Sequence, residues 1–341
     1  MSNNKALEII RASIIGTGSY LPEKKETVED FLRMGATQKN IDNWGVFEHR
    51  VMDEDETVTD MEVEAAQKAM ENAGIGPEDI DLIISTSTLP IQIGLANSNL
   101  LQYRLGSVNA ATFDVVQGYS SSIPQIIIAS QFIALKQYRY ILITASSNAT
   151  RVTDITDPAS FVVIGDGAGA LVMGPTEDDG GTVAFDMQSQ GKYYYNCGIK
   201  VKEPKNKKIK EKQYYDLPSE KLLFYIEAED DDQSDFWNYA VNSLPENVNR
   251  VLARAGLGVP EIDFFIFHQN VHSLSAKWPE LLDIPKEKTY FTYSRYGNML
   301  ASNIFVNLDE ALRENKIKRG DLIVLSGQGA GMSVGSIVMK W

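Results

Sequence analysis

Ala73-Gly74-Ile75-Gly76-Pro77-Glu78-Asp79-Ile80-Asp81-Leu82-Ile83-Ile84 returns in altered form as Ala255-Gly256-Leu257-Gly258-Val259-Pro260-Glu261-Ile262-Asp263-Phe264-Phe265-Ile266. Each copy reads as the end of a helix, a glycine stop, a short acidic loop and a buried strand. A second pair sits at the same offset. Gly118, followed by a helix and the strand at Ile141, mirrors Gly297, followed by a helix and the strand at Leu322. Two units repeated at one spacing predict an internal duplication. The halves are expected to span 1–178 and 179–341, meeting near Met173-Gly174-Pro175 and Gly180-Gly181.

Outward from these copies the rhythm continues. Ile80–Ser85, Tyr140–Thr144, Ile262–Phe267 and Leu322–Ser326 are short, nearly continuous apolar runs, as strands buried on both faces require. Met61–Ala73, Ile123–Leu135 and Ile304–Asn315 carry apolar residues near helical spacing. The alternation predicts an α/β protein with a largely parallel sheet covered by helices.

The chain has 341 residues, enough to bury a core without disulfides or metals. Hydrophobic residues make up 43% and charged residues 23%, which excludes a mostly disordered chain. The formal net charge of −14 argues against a nucleic-acid partner, which requires clustered Lys and Arg. A single cysteine, Cys197, cannot form an internal disulfide and suits a reducing compartment. No apolar run approaches the ~18 residues of a membrane span, and Met1-Ser2-Asn3-Asn4-Lys5 leads into a strand-like stretch and not a signal-peptide core. The expected location is the cytoplasm. Gly198–Lys212 carries seven lysines and precedes the acidic run Glu227–Asp235. It reads as a solvated surface excursion, the alternative being a basic patch for an acidic carrier protein.

Glycine-rich stretches invite a nucleotide-loop reading that their context does not support. Gly16-Thr17-Gly18 runs into Ser19-Tyr20-Leu21-Pro22 without a helix, and Gly165-Asp166-Gly167-Ala168-Gly169 reads as a tight turn between the strands Phe161–Ile164 and Ala170–Met173. His268 and His272 are four apart, but Gln269 stands where a zinc hydrolase needs Glu, so no metal is expected. His268 is better read at the carboxyl end of a buried strand, where α/β folds place their sites.

Phe267-His268-Gln269-Asn270, Arg295-Tyr296-Gly297-Asn298 and Gly327-Gln328-Gly329-Ala330-Gly331-Met332-Ser333-Val334-Gly335-Ser336 together resemble the C-terminal half of a β-ketoacyl-acyl-carrier-protein synthase III. Ile14–Pro22 resembles that family's opening strand and turn. Phe113-Asp114-Val115 resembles the strand leading to its nucleophile, and Ile164–Ala170 its central glycine turn. The resemblance covers nearly the whole chain in order. It implies a thiolase-like duplicated fold, five αβαβα layers with two mixed sheets, and commonly a dimer.

In that family a cysteine at the start of a buried helix attacks an acyl thioester, its thiolate favoured by the helix N-terminus. A histidine and an asparagine bind the carbonyl of a second, malonyl-type thioester and stabilise the enolate. Carried over, the histidine falls on His268 and the asparagine on Asn298. The oxyanion amides fall on Tyr119 and Ala330. The cysteine falls on Tyr119, in Val116-Gln117-Gly118-Tyr119-Ser120-Ser121-Ser122. A phenol, pKa ~10 against ~8.5 for a thiol, is a poor partner for thioester exchange. Ser120, Ser121 and Ser122 turn to other sides of the helix. Cys197, in Tyr194-Tyr195-Asn196-Cys197, lies far along the chain and reads as an ordinary residue. The positions implied to hold the coenzyme A adenine are Lys39 and Asn43, with Trp44 close by, and the carrier-docking basic residues reduce to Lys277.

The expectation is thus an acyltransferase using acyl-CoA or acyl-carrier-protein thioesters as substrates, with no cofactor and no acyl-cysteine. Its setting would be fatty-acid-like or secondary-metabolite biosynthesis. The alternative is a silent subunit paired with a cysteine-bearing paralogue. The partner expectations are acyl-CoA or acyl carrier protein and a homodimer or heterodimer, with neither nucleic acid nor membrane.

Overall fold

The computed structural model describes residues 10–92, 94–176, 179–201, 222–226 and 233–341. The two quoted copies fold alike. Helix α3 (Val58–Ala73) ends at Gly74, φ +68°, and α7 (Gln233–Ala255) ends at Gly256, φ +69°, the left-handed conformation glycine tolerates best. Each stop is followed by a capped 3-10 turn: the Gly76 amide donates to the Asp79 carboxylate at 2.8 Å, and the Gly258 amide to Glu261 at 2.7 Å. Strands β4 (Leu82–Ser87) and β11 (Phe264–Phe267) come next. They enter their sheets through matching bonds, the Asp81 amide to the Tyr140 carbonyl and the Asp263 amide to the Leu322 carbonyl, both 2.9 Å.

The first sheet runs β1 (Arg11–Tyr20), β7 (Gly167–Thr176), β6 (Ile141–Ser147), β4, β5 (Ala111–Asp114). The second runs β8 (Gly181–Ser189), β13 (Ser333–Lys340), β12 (Leu322–Gly329), β11. The orders correspond strand for strand, and where β5 would have its counterpart an isolated parallel bridge joins Phe265 to Thr289. Both sheets are mixed, which corrects the largely parallel sheet expected from the strand–helix rhythm. β6, β4 and β5 are parallel, as are β11 and β12, while β1–β7, β7–β6, β12–β13 and β13–β8 are antiparallel. The cause is local for β12 and β13: only Ala330–Met332 separates them, too short for a parallel crossover.

Helix α5 (Ser122–Ala134) and α10 (Asn303–Arg313) lie between the sheets, each touching strands of both, and their side chains share one apolar cluster with the inner sheet faces. Helices α3 and α4 (Asn97–Leu105) cover the outside of the first sheet. Helices α7 and α8 (His272–Leu281) cover the second, with Trp278 fully buried against Phe267. The result is a five-layered αβαβα architecture of thiolase type. The expected junction between halves, 178/179, falls at residues 177–178, which lie outside the described residues. Most of the lysine-rich segment, residues 202–212, lies outside them too, as do 227–232 of the acidic run.

Two hairpins stand apart from the layers. β2 (Lys25–Thr27) pairs with β3 (Glu48–Arg50), enclosing α1 (Val28–Arg33) and α2 (Gln38–Trp44). β9 (Cys197–Val201) pairs with β10 (Leu222–Ile226). Short helices α6 (Pro158–Val163) and α9 (Tyr293–Tyr296) complete the set. The first of these corrects the expected strand at Phe161–Ile164. Pro158 occupies the first helical turn and the Asp157 side chain accepts the Ala159 amide at 3.1 Å. An N-cap and a pre-set φ outweigh the β preference of Val162-Val163. The glycine run therefore opens β7 and is not a turn between strands.

The other glycine run serves packing. Gly16 and Gly18 lie inside β1, where a Cβ would overlap the Ala69 and Ala65 carbonyls of α3. Gly16→Ala should lower stability by about 1–3 kcal/mol, read as a drop in the thermal midpoint, because backbone must move. Gly191→Ala, with open space around it, should stay within about 0.5 kcal/mol of the parent. Equal midpoints for all three proteins would refute the packing role.

Candidate functional site

The site forms where loops from both halves meet at the central layer. Tyr119 sits in the turn before α5, half-buried, its ring 6.1 Å from that of Phe224 in the β9–β10 hairpin. It belongs to an apolar cluster with Ile164, Leu300, Phe224 and Val271. Val271, three residues after His268, and Leu300, two after Asn298, thus belong to the same cluster as Tyr119. Ser120 and Ser121 are committed locally: their hydroxyls donate to the Gln117 carbonyl at 3.0 Å and the Gly118 carbonyl at 2.7 Å. The buried Ser122 hydroxyl has no partner among the described residues.

The β12–β13 loop presses on this turn. A Cβ on Gly118 would lie 2.7 Å from the Ala330 carbonyl oxygen and 3.1 Å from its amide nitrogen. One on Gly329 would lie 2.7 Å from the Tyr119 nitrogen. The two amides expected to face an oxyanion are thus brought to a single backbone contact that only glycines permit.

His268 follows β11, its amide donating to the Ser326 carbonyl on β12 at 2.8 Å. The side chain is fully buried, and neither ring nitrogen has a hydrogen-bond partner among the described residues. Burial pushes its pKa down to about 4; the nearby Asn270 side chain offsets part of this without completing a hydrogen bond. The imidazole is therefore neutral at pH 7, with one N–H and one lone pair free. Gln269 fixes the loop: its side-chain oxygen accepts the Thr292 and Tyr293 amides at 2.9 and 2.8 Å, and its nitrogen donates to the Tyr290 carbonyl at 2.8 Å.

That same segment leads to Asn298, buried and held on three sides. Its amide donates to the Val163 carbonyl at 2.7 Å, its carbonyl accepts the Gly165 amide at 3.1 Å, and its side-chain oxygen accepts the Leu300 amide at 2.9 Å. With Oδ1 occupied, Nδ2 is the end left to donate to a ligand.

The remaining expected residues lie around this centre. Lys39 and Asn43 are exposed on α2; Trp44 is half-buried and packs on the cluster that holds Tyr119. Lys277 is exposed on α8 and pairs with Glu280 at 2.9 Å. His272 starts α8, exposed, packed near Gly45. No group of three metal-ligating side chains occurs among the described residues, and no helix there is long and apolar enough to cross a membrane.

Cys197 calls for a correction. Far along the chain, it nonetheless lies beside the site, its sulfur within reach of the Gly331 backbone amide, next to Ala330. Burial pushes this thiol up to about 11, the Gly331 contact opposing. No sequence signal marked it, because β9 reaches the loop only through tertiary packing.

Two measurements probe these environments. Neutral in the fold and protonated in the unfolded chain, His268 should cost stability as pH falls from about 6.5 to 4, and contribute nothing above. Buried Asp166, pushed up to about 6, acts in the opposite sense, so the test is a difference. Wild type minus His268→Gln in unfolding free energy should decline by on the order of 3 kcal/mol across that interval, measured by urea titration. A pH-independent difference would refute it. For Cys197, iodoacetamide alkylation of the folded protein should keep rising about tenfold per pH unit up to pH 10, whereas a plateau near pH 9 would contradict the burial.

Similarity to known proteins agrees with this geometry. Residues 113–191 match the family model for 3-oxoacyl-[acyl-carrier-protein (ACP)] synthase III, and residues 252–341 match its C-terminal counterpart. The beta-ketoacyl-[acyl-carrier-protein] synthase III of Listeria welshimeri is 34% identical over 338 residues, covering 97% of this chain and 99% of that protein. That of Geobacillus kaustophilus is 34% identical over 339 residues, with the same coverage. The crystal structure of the Aquifex aeolicus 3-oxoacyl-[acyl-carrier-protein] synthase III superposes with a TM-score of 0.85 at 29% identity, over 97% of this chain and all of that one. The fold also matches the priming β-ketosynthase of the R1128 polyketide pathway, TM-score 0.87 at 22% identity, over 99% of this chain and 98% of that one. Fold, sequence and site architecture together place this chain in the β-ketoacyl-acyl-carrier-protein synthase III family.

Proposed function

We propose that this protein is a synthase III-like acyltransferase that acts on acyl or malonyl thioesters of coenzyme A or acyl carrier protein without an acyl-cysteine intermediate, in fatty-acid-like or secondary-metabolite biosynthesis. The observation that carries this reading is His268: fully buried, neutral, and with neither ring nitrogen partnered among the described residues. A buried polar group left unpaired costs about 1–3 kcal/mol, a loss that a bound acyl carbonyl would recover. Asn298 supports it with a side-chain amide whose oxygen is already anchored.

Tyr119 is read as standing at the family's nucleophile position, where it shapes the pocket. The thioester carbonyl oxygen accepts from the His268 N–H and the Asn298 Nδ2. A bound acceptor attacks the carbonyl carbon, the carbon–sulfur bond breaks, and the acceptor's proton passes to the leaving thiolate. With a malonyl thioester the bond to the carboxylate breaks instead: carbon dioxide leaves and the electron pair moves onto the same oxygen as an enolate. The Tyr119 and Ala330 amides line the contact beside it, and Lys39, Asn43 and Trp44 would meet the coenzyme A end. No cofactor is required.

A second reading, a silent subunit paired with a cysteine-bearing paralogue, is favoured by one surface. β5 is an edge strand of the first sheet, and Val116 just beyond it is 85% exposed. Tyr103 and Val108 nearby in sequence are also exposed. Such a face suits a homodimer or a heterodimer.

The deciding experiment incubates the protein with acetyl-CoA and malonyl-CoA, follows free thiol and carbon dioxide, and weighs the intact protein. Turnover above background, reduced about 100- to 1,000-fold in His268→Ala as for loss of one oxyanion donor, with no acyl adduct on the protein, supports the acyltransferase. No turnover, or turnover unchanged in His268→Ala, overturns it. Stable co-purification with a cysteine-bearing paralogue then supports the second reading. An acyl adduct on sulfur overturns the absence of an acyl-cysteine.

A further inference from the structure

Residues 162–166 form a rung between two elements that never touch directly in sequence. On one side stands the β2–β3 hairpin. The Nδ1 of His49 lies 3.2 Å from the Val162 carbonyl, the Asp166 amide donates to the Arg50 carbonyl at 2.9 Å, and the Asp166 carboxylate accepts the Met52 amide at 3.0 Å. On the other side stands Asn298, bonded to Val163 and Gly165. The Val162 carbonyl, near the end of α6, and Asp166 meet the hairpin, while the Val163 carbonyl and the Gly165 amide meet Asn298. No slack exists between them. A Cβ on Gly165 would overlap the Tyr296 carbonyl and lie 3.4 Å from the His49 Cβ, and one on Gly297 would lie 2.6 Å from the Val163 oxygen.

His49 is itself fixed from the far side. It is buried, its Nε2 lies 3.0 Å from the Glu26 carboxylate, and Glu26 is its cross-strand partner. Its ring lies 5.0 Å from that of Phe31 on α1. Thr27, directly after Glu26, caps α1, and the chain runs on into α2 with Lys39, Asn43 and Trp44. The hairpin thus spans from the wall expected to meet the thioester's handle to the asparagine expected to hold its carbonyl.

We propose that His49, oriented by Glu26, is a positioning residue for Asn298, acting through the Val162 carbonyl and the 163–165 rung. It touches no substrate in this scheme, which rests on the acyltransferase reading above. Its effect is to fix where the Asn298 Nδ2 points, and a displacement of about 1 Å at such a donor costs up to about 100-fold in rate.

Two substitutions at His49 separate positioning from bulk stability. The side-chain nitrogen of Asn reaches where Nδ1 sits, whereas that of Gln reaches where Nε2 sits. His49→Asn can keep the Val162 contact and His49→Gln cannot. With the protein labelled in nitrogen-15, the Asn298 side-chain amide, assigned through Asn298→Asp, should keep its resonance in His49→Asn and shift in His49→Gln. In turnover of the CoA thioester, His49→Gln should lose kcat about 10- to 100-fold with KM moved less than about threefold, and His49→Asn should recover most of it. Should His49→Gln not fold, Glu26→Gln, isosteric and partly exposed, should produce a smaller shift of the same resonance. An Asn298 resonance unmoved in every folded variant overturns the inference. Absence of turnover in wild type with the resonance shifts present overturns the acyltransferase reading alone.

Discussion

The site depends on two backbones from different halves of the chain touching without side chains between them. Gly118 takes φ +57° and lies against Ala330; Gly329 lies against the Tyr119 and Ser120 amides. Any Cβ at either glycine would push the β12–β13 loop away from the start of α5. This contact sets where the Tyr119 and Ala330 amides lie, and it does so through main-chain atoms alone. The side chain at 119 can therefore change while the amides stay in place. The Tyr119 phenol leaves these main-chain contacts as they are. The side chain at 119 and the amide geometry beside it are carried by different atoms.

The rest of the fold exists to bring that contact about. α5 and α10 sit between two sheets of matching order, and glycines on the strands let them come close: a Cβ on Gly169 would lie 2.5 Å from the Phe305 Cβ, and one on Gly335 2.8 Å from Ile123. The outer helices are held by different means. α3 projects Glu62, fully buried, onto the hydroxyls of Ser85, Ser87, Thr144 and Ser146 at the ends of β4 and β6. Burial raises the pKa of this carboxyl and the four hydroxyls oppose that. A polar clamp thus ties α3 to the outside of the first sheet, while the apolar seam holds α5 and α10 inside.

Much of this was legible in the residues. The glycine stops at Gly74 and Gly256 are local events, decided by left-handed backbone a few residues from the helix they end, and sequence carries such signals well. Buried strands announced themselves as apolar runs for the same reason. His268 could be placed at a strand end, and Asn298 and Tyr119 followed from motif resemblance. What failed was non-local or contextual. The 158–163 helix hid behind Val-Val-Ile until Pro158 and the Asp157 cap were weighed. Strand direction in β7 and β13 depends on pairing partners over a hundred residues away in the case of β1 and β8. Cys197 and His49 stand beside the site only because hairpins fold over onto it, and nothing in their neighbours in sequence says so.

The electrostatics of the centre follow from one asymmetry. The chain carries a formal charge of −14, yet Tyr119 packs against an apolar cluster. His268 stays uncharged because burial outweighs the single neighbour that favours protonation, and Cys197 stays a thiol because burial outweighs its one amide contact. Desolvation thus acts on both groups in the same sense, removing charge. A neutral imidazole is a better donor to a developing oxyanion than to a ground-state carbonyl, since the charge appears only as the reaction proceeds and the low-dielectric surroundings magnify it then. A thiol held protonated is a poor nucleophile by the same physics. Burial thus keeps the imidazole neutral and holds the thiol protonated at once.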